Sequence, residues 1–184
     1  MKVERLAVPD VVLIVPQRFA DARGYFAETY SSRRYAAIGI DRPFVQDNES
    51  LSRGKGTLRG LHCQIAPVAQ GKLVRVVRGS IWDVAVDIRG SSPAYGKWAA
   101  ATLTADGGEQ MWIPPGFLHG FLTLAADTEI IYKVTSDYDR ASERGVIWND
   151  PTLDIAWPLE GDPVLSEKDE SLPSFDAAHG WFGR

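Results

Sequence analysis

From Trp82 to Arg89 the chain alternates strictly. Trp82, Val84, Val86 and Ile88 occupy every second position, with Asp83, Ala85, Asp87 and Arg89 between them. A period of two places successive side chains on opposite faces of an extended strand, so this segment cannot be a helix. Leu73 to Arg78, Lys97 to Leu103, Glu109 to Ile113, Phe117 to Leu124 and Glu129 to Thr135 also read as strands. The breaks between them carry turn chemistry: Gly90-Ser91-Ser92-Pro93, Asp106-Gly107-Gly108, Pro114-Pro115-Gly116 and Ala125-Ala126-Asp127. Gly79-Ser80, between the first two strands, suits a tight hairpin turn. Short strands at regular spacing predict an all-β chain, an antiparallel sandwich or barrel. Helix is scarce. Ser31 to Ile38 forms one short helix with Ser31 or Ser32 as its cap and Gly39 as its stop, and a second falls near Ser166 to Ser171.

The 184 residues are enough for one domain, with no repeat, low-complexity tract or linker. Prolines 151, 158, 163 and 173 interrupt the pattern, so the segment from about residue 150 is expected to wrap the barrel. Lys and Arg number 20 against 24 Asp and Glu, which leaves no basic excess for nucleic acid. The apolar runs, such as Val11 to Val15, fall far below the roughly 18 residues of a membrane span. The first residues, Met1 to Arg5, carry early charges and no apolar signal core, and the expectation is a cytoplasmic chain. A single cysteine, Cys63, excludes an internal disulfide and any cysteine-based zinc cluster.

Chemistry concentrates in two spaced patterns. Gly108, five residues, Pro114-x-Gly116, two residues and His119 describe a strand, a tight turn and a strand carrying an inward histidine. Gly56, five residues, His62-x-Gln64, then Lys72, six residues and Gly79 form the other. Together they resemble the two signatures of the cupin barrels, which implies a jelly-roll barrel with a few short helices. Cupins seat a metal on residues at the positions of His62, Gln64, Lys72 and His119. Here Gln64 stands for a second histidine and Lys72 for a glutamate, and a protonated lysine has no lone pair to give. The expectation is a cavity without a metal, in which an ammonium group stabilises a developing oxyanion.

A more specific resemblance runs through the chain from Val3 to about Pro173. Phe44-Val45-Gln46-Asp47-Asn48, Leu58-Arg59-Gly60-Leu61-His62, Gln70-Gly71-Lys72-Leu73-Val74-Arg75, Trp112 to Phe121, Ile131-Tyr132-Lys133, Trp148-Asn149-Asp150-Pro151 and Leu165-Ser166-Glu167-Lys168-Asp169 stand in order. They are similar to the dTDP-4-dehydrorhamnose 3,5-epimerase family. Cys63 departs from it, because an aromatic residue is usual there. The resemblance implies a homodimer acting on a thymidine-diphosphate 4-keto-6-deoxyhexose in dTDP-L-rhamnose formation, with no redox cofactor. The ketone acidifies the C3 and C5 protons. Inversion then needs a base and an acid on opposite sides of the sugar and a positive group near O4.

The resemblance assigns His62 as base, Asp169 as its orienting partner, Tyr132 as acid and Lys72 as oxyanion stabiliser. Alternation supports His62, since it turns Leu61 and Cys63 to the opposite face. It also puts Tyr132 on one face with Ile130 and Val134, where a plain core tyrosine is the competing reading. Asp169, read alone, is a solvated helix-end charge. His119 is expected to meet the sugar or O4. Arg23, Phe26, Glu28, Gln46 and Asn48 are implied for the nucleotide, Arg59 and Lys168 for the diphosphate, Tyr138 for stacking on thymine, and Glu143 with them. Cys63 is expected to pack as a small apolar residue, and His179 to be exposed. Three other readings stay open: a relative inverting only C3 or only C5, a metal-dependent cupin enzyme completed by carboxylates such as Asp83 or Glu129, and a non-catalytic sugar-nucleotide binder.

Overall fold

The structure, a computed structural model, describes residues 1–183. Strands β1 (Lys2–Arg5), β2 (Val12–Val15), β3 (Arg18–Asp21) and β4 (Gly24–Ala27) precede helix α1 (Ser32–Ala36). Then follow β5 (Gln46–Ser52), β6 (Leu58–Gln64), β7 (Lys72–Arg78), β8 (Ser80–Asp87), β9 (Trp98–Thr104), β10 (Gln110–Ile113), β11 (Phe117–Thr123), β12 (Thr128–Val134) and β13 (Glu143–Gly145). Helix α2 (Glu167–Glu170) and a 3₁₀ turn at Phe175–Ala178 complete the chain. Two antiparallel sheets face each other, one in the order β1-β2-β10-β7-β12-β5 and the other β13-β6-β11-β8-β9, with β3-β4 as a separate hairpin. Strand spacing predicts an antiparallel sandwich or barrel, and the architecture is the cupin-like jelly roll that the resemblance implies.

The Gly79-Ser80 link is not a hairpin. β7 and β8 belong to different sheets, and the chain crosses between them there. Gly79 takes a positive φ of 76°, and a Cβ on it would lie 2.4 Å from Thr128 Oγ1. The same turn residues serve a hairpin or a crossing. What decides is the partner: β7 pairs with β10 and β12, strands the local sequence cannot specify.

Three apolar layers follow from the alternation. Val74, Val76, Ile81, Ala85, Leu103, Met111, Phe117 and Ile130 fill the space between the sheets. Val12, Ile14, Leu73 and Trp112 on the outside of the larger sheet are covered by Tyr35 of α1 and by Ile40. Leu61, Val84, Val86 and Leu118 on the outside of the smaller sheet are covered by Leu153, Phe175, Ala178 and their neighbours. Each fully buried Leu or Ile contributes about 1.5–3 kcal/mol. The C-terminal residues, which showed no sequence pattern, therefore roof a sheet face. This also reverses the simple reading of β8. Its apolar Trp82, Val84 and Val86 face outward beneath that roof, and its polar Asp83 faces into the barrel.

Candidate active site

The barrel holds a cavity in two adjoining lobes of about 320 and 290 Å³. Gln46, Asn48, Gln64, Gln70, Tyr138 and Glu143 line one; Arg59, His119, Phe121, Lys168 and Asp169 line the other. His62, Lys72 and Tyr132 line both and stand at their junction. Hollows of about 400 and 360 Å³ elsewhere are lined by no histidine.

Each junction residue gets there by strand register. His62 on β6 lies opposite His119 on β11, and both point inward. Tyr132 on β12 stands in the facing sheet beside Ile130 and Val134, with Asn48 across on β5. Lys72 opens β7 and shares the inward parity of Val74 and Val76. Arg59 is three positions from His62, which strict alternation would put on the other face. The β6–β11 register slips between His119 and Phe121, at Gly60 and Gly120. That bulge restores Arg59 to the cavity side. Gly60 has φ 130°, and a Cβ there would lie 2.5 Å from the Gly120 Cα.

His62 Nε2 lies 2.6 Å from Asp169 Oδ1, an ion-pair contact without in-line hydrogen-bond alignment. Asp169 is 4% exposed, so it is not the solvated helix-end charge that its sequence neighbours suggest. Ser166 caps α2 by accepting from the Asp169 N–H, which fixes the carboxylate's approach. Burial pushes the Asp169 carboxyl upward, but His62, Ser166 and Lys168 outweigh it and hold it below the usual carboxylate range. The contact leaves His62 Nδ1 for a substrate.

His119 Nε2 lies 2.7 Å from Asp83 Oδ1, a hydrogen-bonded buried pair. Burial lowers the His119 imidazole despite Asp83, and Lys72 and His62 add to the lowering. One histidine nitrogen is therefore already committed. Alternation alone turns Asp83 toward solvent, opposite Trp82, Val84 and Val86, so its inward place is not readable from the sequence. Lys72 has no hydrogen-bond or ion-pair partner among the described residues. It lines both lobes of the cavity, and burial lowers its ammonium pKa, with Cys63, Asp83 and Glu143 opposing. Tyr132 is raised by burial, with Arg59 lowering and Glu143 raising it, so the phenol stays protonated. Lys168 Nζ lies 2.7 Å from Glu143 Oε2, and Tyr138 donates to the same oxygen at 3.0 Å. Arg59 Nε donates to Ser52 Oγ at 3.2 Å.

Arg23, Phe26 and Glu28 do not join this set within one chain. Phe26 stands on β4 of the separate hairpin and Arg23 in the turn just before it, where Arg23 pairs with Asp21 at 2.6 Å and Phe26 is 69% exposed. Glu28, just beyond, pairs with Arg34 at 3.2 Å. Cys63 packs with the outer cluster of the smaller sheet, as parity predicts, while also bordering one lobe of the cavity, and His179 is exposed. The residues do not fit a divalent metal. Lys72 occupies one seat, both Gln64 amide atoms are spent on backbone, and no three His, Cys, Asp or Glu side chains cluster among the described residues.

Fold and site together define a cupin-like barrel enzyme whose cavity gathers an imidazole, a phenol and a lysine amine at one junction, the amine without a partner among the described residues. The sequence profile of dTDP-4-dehydrorhamnose 3,5-epimerases matches residues 5–177, and the chain belongs to that family. It is 52% identical over 174 residues to the dTDP-4-dehydrorhamnose 3,5-epimerase of Sinorhizobium fredii, covering 95% of this chain and 89% of that one. The Mycobacterium tuberculosis epimerase structure superposes with a TM-score of 0.95 at 36% identity, covering 100% and 94%. A dTDP-6-deoxy-D-glucose-3,5-epimerase from Legionella pneumophila, in complex with dTDP-4-keto-L-rhamnose, gives a TM-score of 0.91 at 41% identity, covering 95% and 93%.

Proposed function

We propose that this chain inverts C3 and C5 of dTDP-4-dehydro-6-deoxy-D-glucose, giving dTDP-4-dehydro-L-rhamnose for dTDP-L-rhamnose synthesis. The observation that carries this reading is the placement of His62 and Tyr132 on facing sheets, with Lys72 lining both lobes of the cavity alongside them. His62 takes the proton from the carbon next to the ketone, and the bond electrons move to O4. The Lys72 ammonium stabilises the enolate oxygen, since nothing else in the cavity claims it. Tyr132, held protonated by burial, returns a proton from the opposite face, and Asp169 stabilises the imidazolium until it is discharged. No step requires electron transfer.

Arg59 and Lys168 would meet the diphosphate, and Gln46, Asn48, Tyr138 and Glu143 the nucleoside and sugar. Arg23, Phe26 and Glu28 lie away from their own chain's cavity, so the homodimer is the arrangement in which they would serve, each hairpin reaching the partner's site. No helix among the described residues is long and apolar enough to cross a membrane, and we place the chain in the cytoplasm.

Incubating the chain with dTDP-4-keto-6-deoxyglucose in D2O and following proton NMR tests the reading. Loss of both C3 and C5 proton signals is expected, and His62→Ala should abolish it. Exchange at one carbon only would reassign the chain as a single-carbon epimerase. Retained exchange in His62→Ala would remove His62 as base.

A further inference from the structure

Residues 136–139, between β12 and β13, are held by side chains rather than by a strand partner. Gln70 Nε2 donates to the Ser136 carbonyl at 2.7 Å. Gln64 Nε2 donates to the Asp137 carbonyl at 3.1 Å, and Gln64 Oε1 accepts from the Asp139 N–H at 2.8 Å. Gln46 Oε1 accepts from the Tyr138 N–H at 3.0 Å. Three glutamines from separate parts of the barrel thus each grip the backbone of one four-residue turn. A glutamine amide carries both donor and acceptor, so it can hold a carbonyl and an N–H of one turn at once, as Gln64 does.

The turn carries Tyr138 over one lobe of the cavity and leads to Glu143, which Tyr138 and Lys168 both contact. Gln64 is 3% exposed and spends its remaining N–H on the Val68 carbonyl at 2.9 Å, so it has no hydrogen left for a ligand. Gln70 is likewise directed at backbone.

We infer that Gln64 and Gln70 are positioning residues for nucleotide recognition: they clamp the 136–139 turn so that Tyr138 and Glu143 stand ready for the base and sugar before substrate arrives. This rests on the dTDP-sugar reading above. The benefit is preorganisation. A ring already fixed does not have to be ordered on binding. The bonds run to backbone and engage none of His62, Lys72 and Tyr132, so their loss should weaken binding far more than it slows proton transfer.

The test uses Gln64→Met, of similar length and without amide atoms, and Gln70→Met. Gln64→Met loses three hydrogen bonds and Gln70→Met one, so the effects should be graded. Calorimetric titration with dTDP should show Kd raised at least tenfold in Gln64→Met and two- to fivefold in Gln70→Met. KM should follow Kd, and kcat should move less than threefold. Amide exchange of the peptide spanning 136–139 should accelerate, with little change in the barrel strands. In a Tyr138→Ala background, Gln64→Met should add less than a twofold further loss in Kd, because the residue it positions is gone. If Gln64→Met does not fold, the Gln70→Met pair of Kd and exchange measurements carries the same decision.

Unaltered dTDP affinity in a folded variant beside normal wild-type binding overturns the clamp alone. So does a kcat loss matching the KM change, or full additivity with Tyr138→Ala. A wild-type chain that binds no dTDP overturns the functional reading and this one with it.

Discussion

Lys72 should make the protein less stable and more active at once. Its ammonium lines the cavity, is half-buried, carries no partner among the described residues, and is driven toward neutrality chiefly by burial. Replacing it with methionine keeps the stem volume and removes the charge. Arg59 is engaged with Ser52, and Lys168 with Glu143, so neither is free to take over. The whole of one charged donor to the enolate oxygen is then lost. Such donors are worth about 3 kcal/mol, or roughly 10²-fold to 10³-fold in kcat. Stability should move the other way. A lysine whose folded pKa lies below its unfolded one leaves the unfolded chain holding more protons between the two values. Wild-type stability should therefore rise with pH as it passes from the folded toward the unfolded value. Below the folded value the buried charge is a standing cost, which Lys72→Met lacks. Calorimetric melting at pH 7 should give a higher Tm for the variant, each 1 kcal/mol appearing as about 2–4 °C. The gap should narrow as pH approaches 10.5, the ordinary value for lysine. A variant that keeps kcat within tenfold, or melts several degrees lower at pH 7, would refute the argument.

Tyr132→Phe should lower epimer formation by about 10²-fold to 10⁴-fold while solvent deuterium still exchanges at the substrate's acidic carbons, since His62 is intact; NMR of product against exchange separates the two. Cys63, pushed up to about 12 by burial with Lys72 opposing, should resist a thiol reagent at pH 8 in the folded chain and react in denaturant, read by absorbance. Gly60→Ala forces a side chain into a 2.5 Å approach to Gly120 at a positive φ, and should cost about 3 kcal/mol or more in urea unfolding and displace Arg59 from the cavity.

Much of the architecture was legible because period two survives in β7 to β12 and the turns between them are punctuated by glycine and proline. The cavity was legible for a different reason. Spacing around Gly56, His62, Lys72, Gly79, Pro114, Gly116 and His119 is a record of inward parity, and resemblance added Tyr132 and Asp169. What escaped depended on partners distant in the chain. Gly79-Ser80 reads as a hairpin until β10 and β12 claim β7. Arg59 is placed at the site by resemblance alone, since alternation from His62 does not account for it without the bulge at Gly60. β5, the polar run Gln46–Ser52, carries no apolar alternation to mark it as a strand, and only the pairing with β12 reveals it. The Asp83–His119 pair and the grip of Gln64 and Gln70 were hidden similarly, because an amide or a carboxylate shows its role only once its acceptor or donor arrives from elsewhere.

From β5 onward the polypeptide shuttles from one sheet to the other at nearly every step, with β8 and β9 as the pair that stays together. The imidazole of residue 62 and its carboxylate at 169 are thus joined across 107 positions (169 − 62), far beyond any local contact. Loop-closure entropy must be overcome many times before the imidazole meets its carboxylate, which favours slow, all-together assembly. Regain of turnover after dilution from urea should consequently trail compaction and report the last event of renaturation, sparing a cell any half-made catalyst.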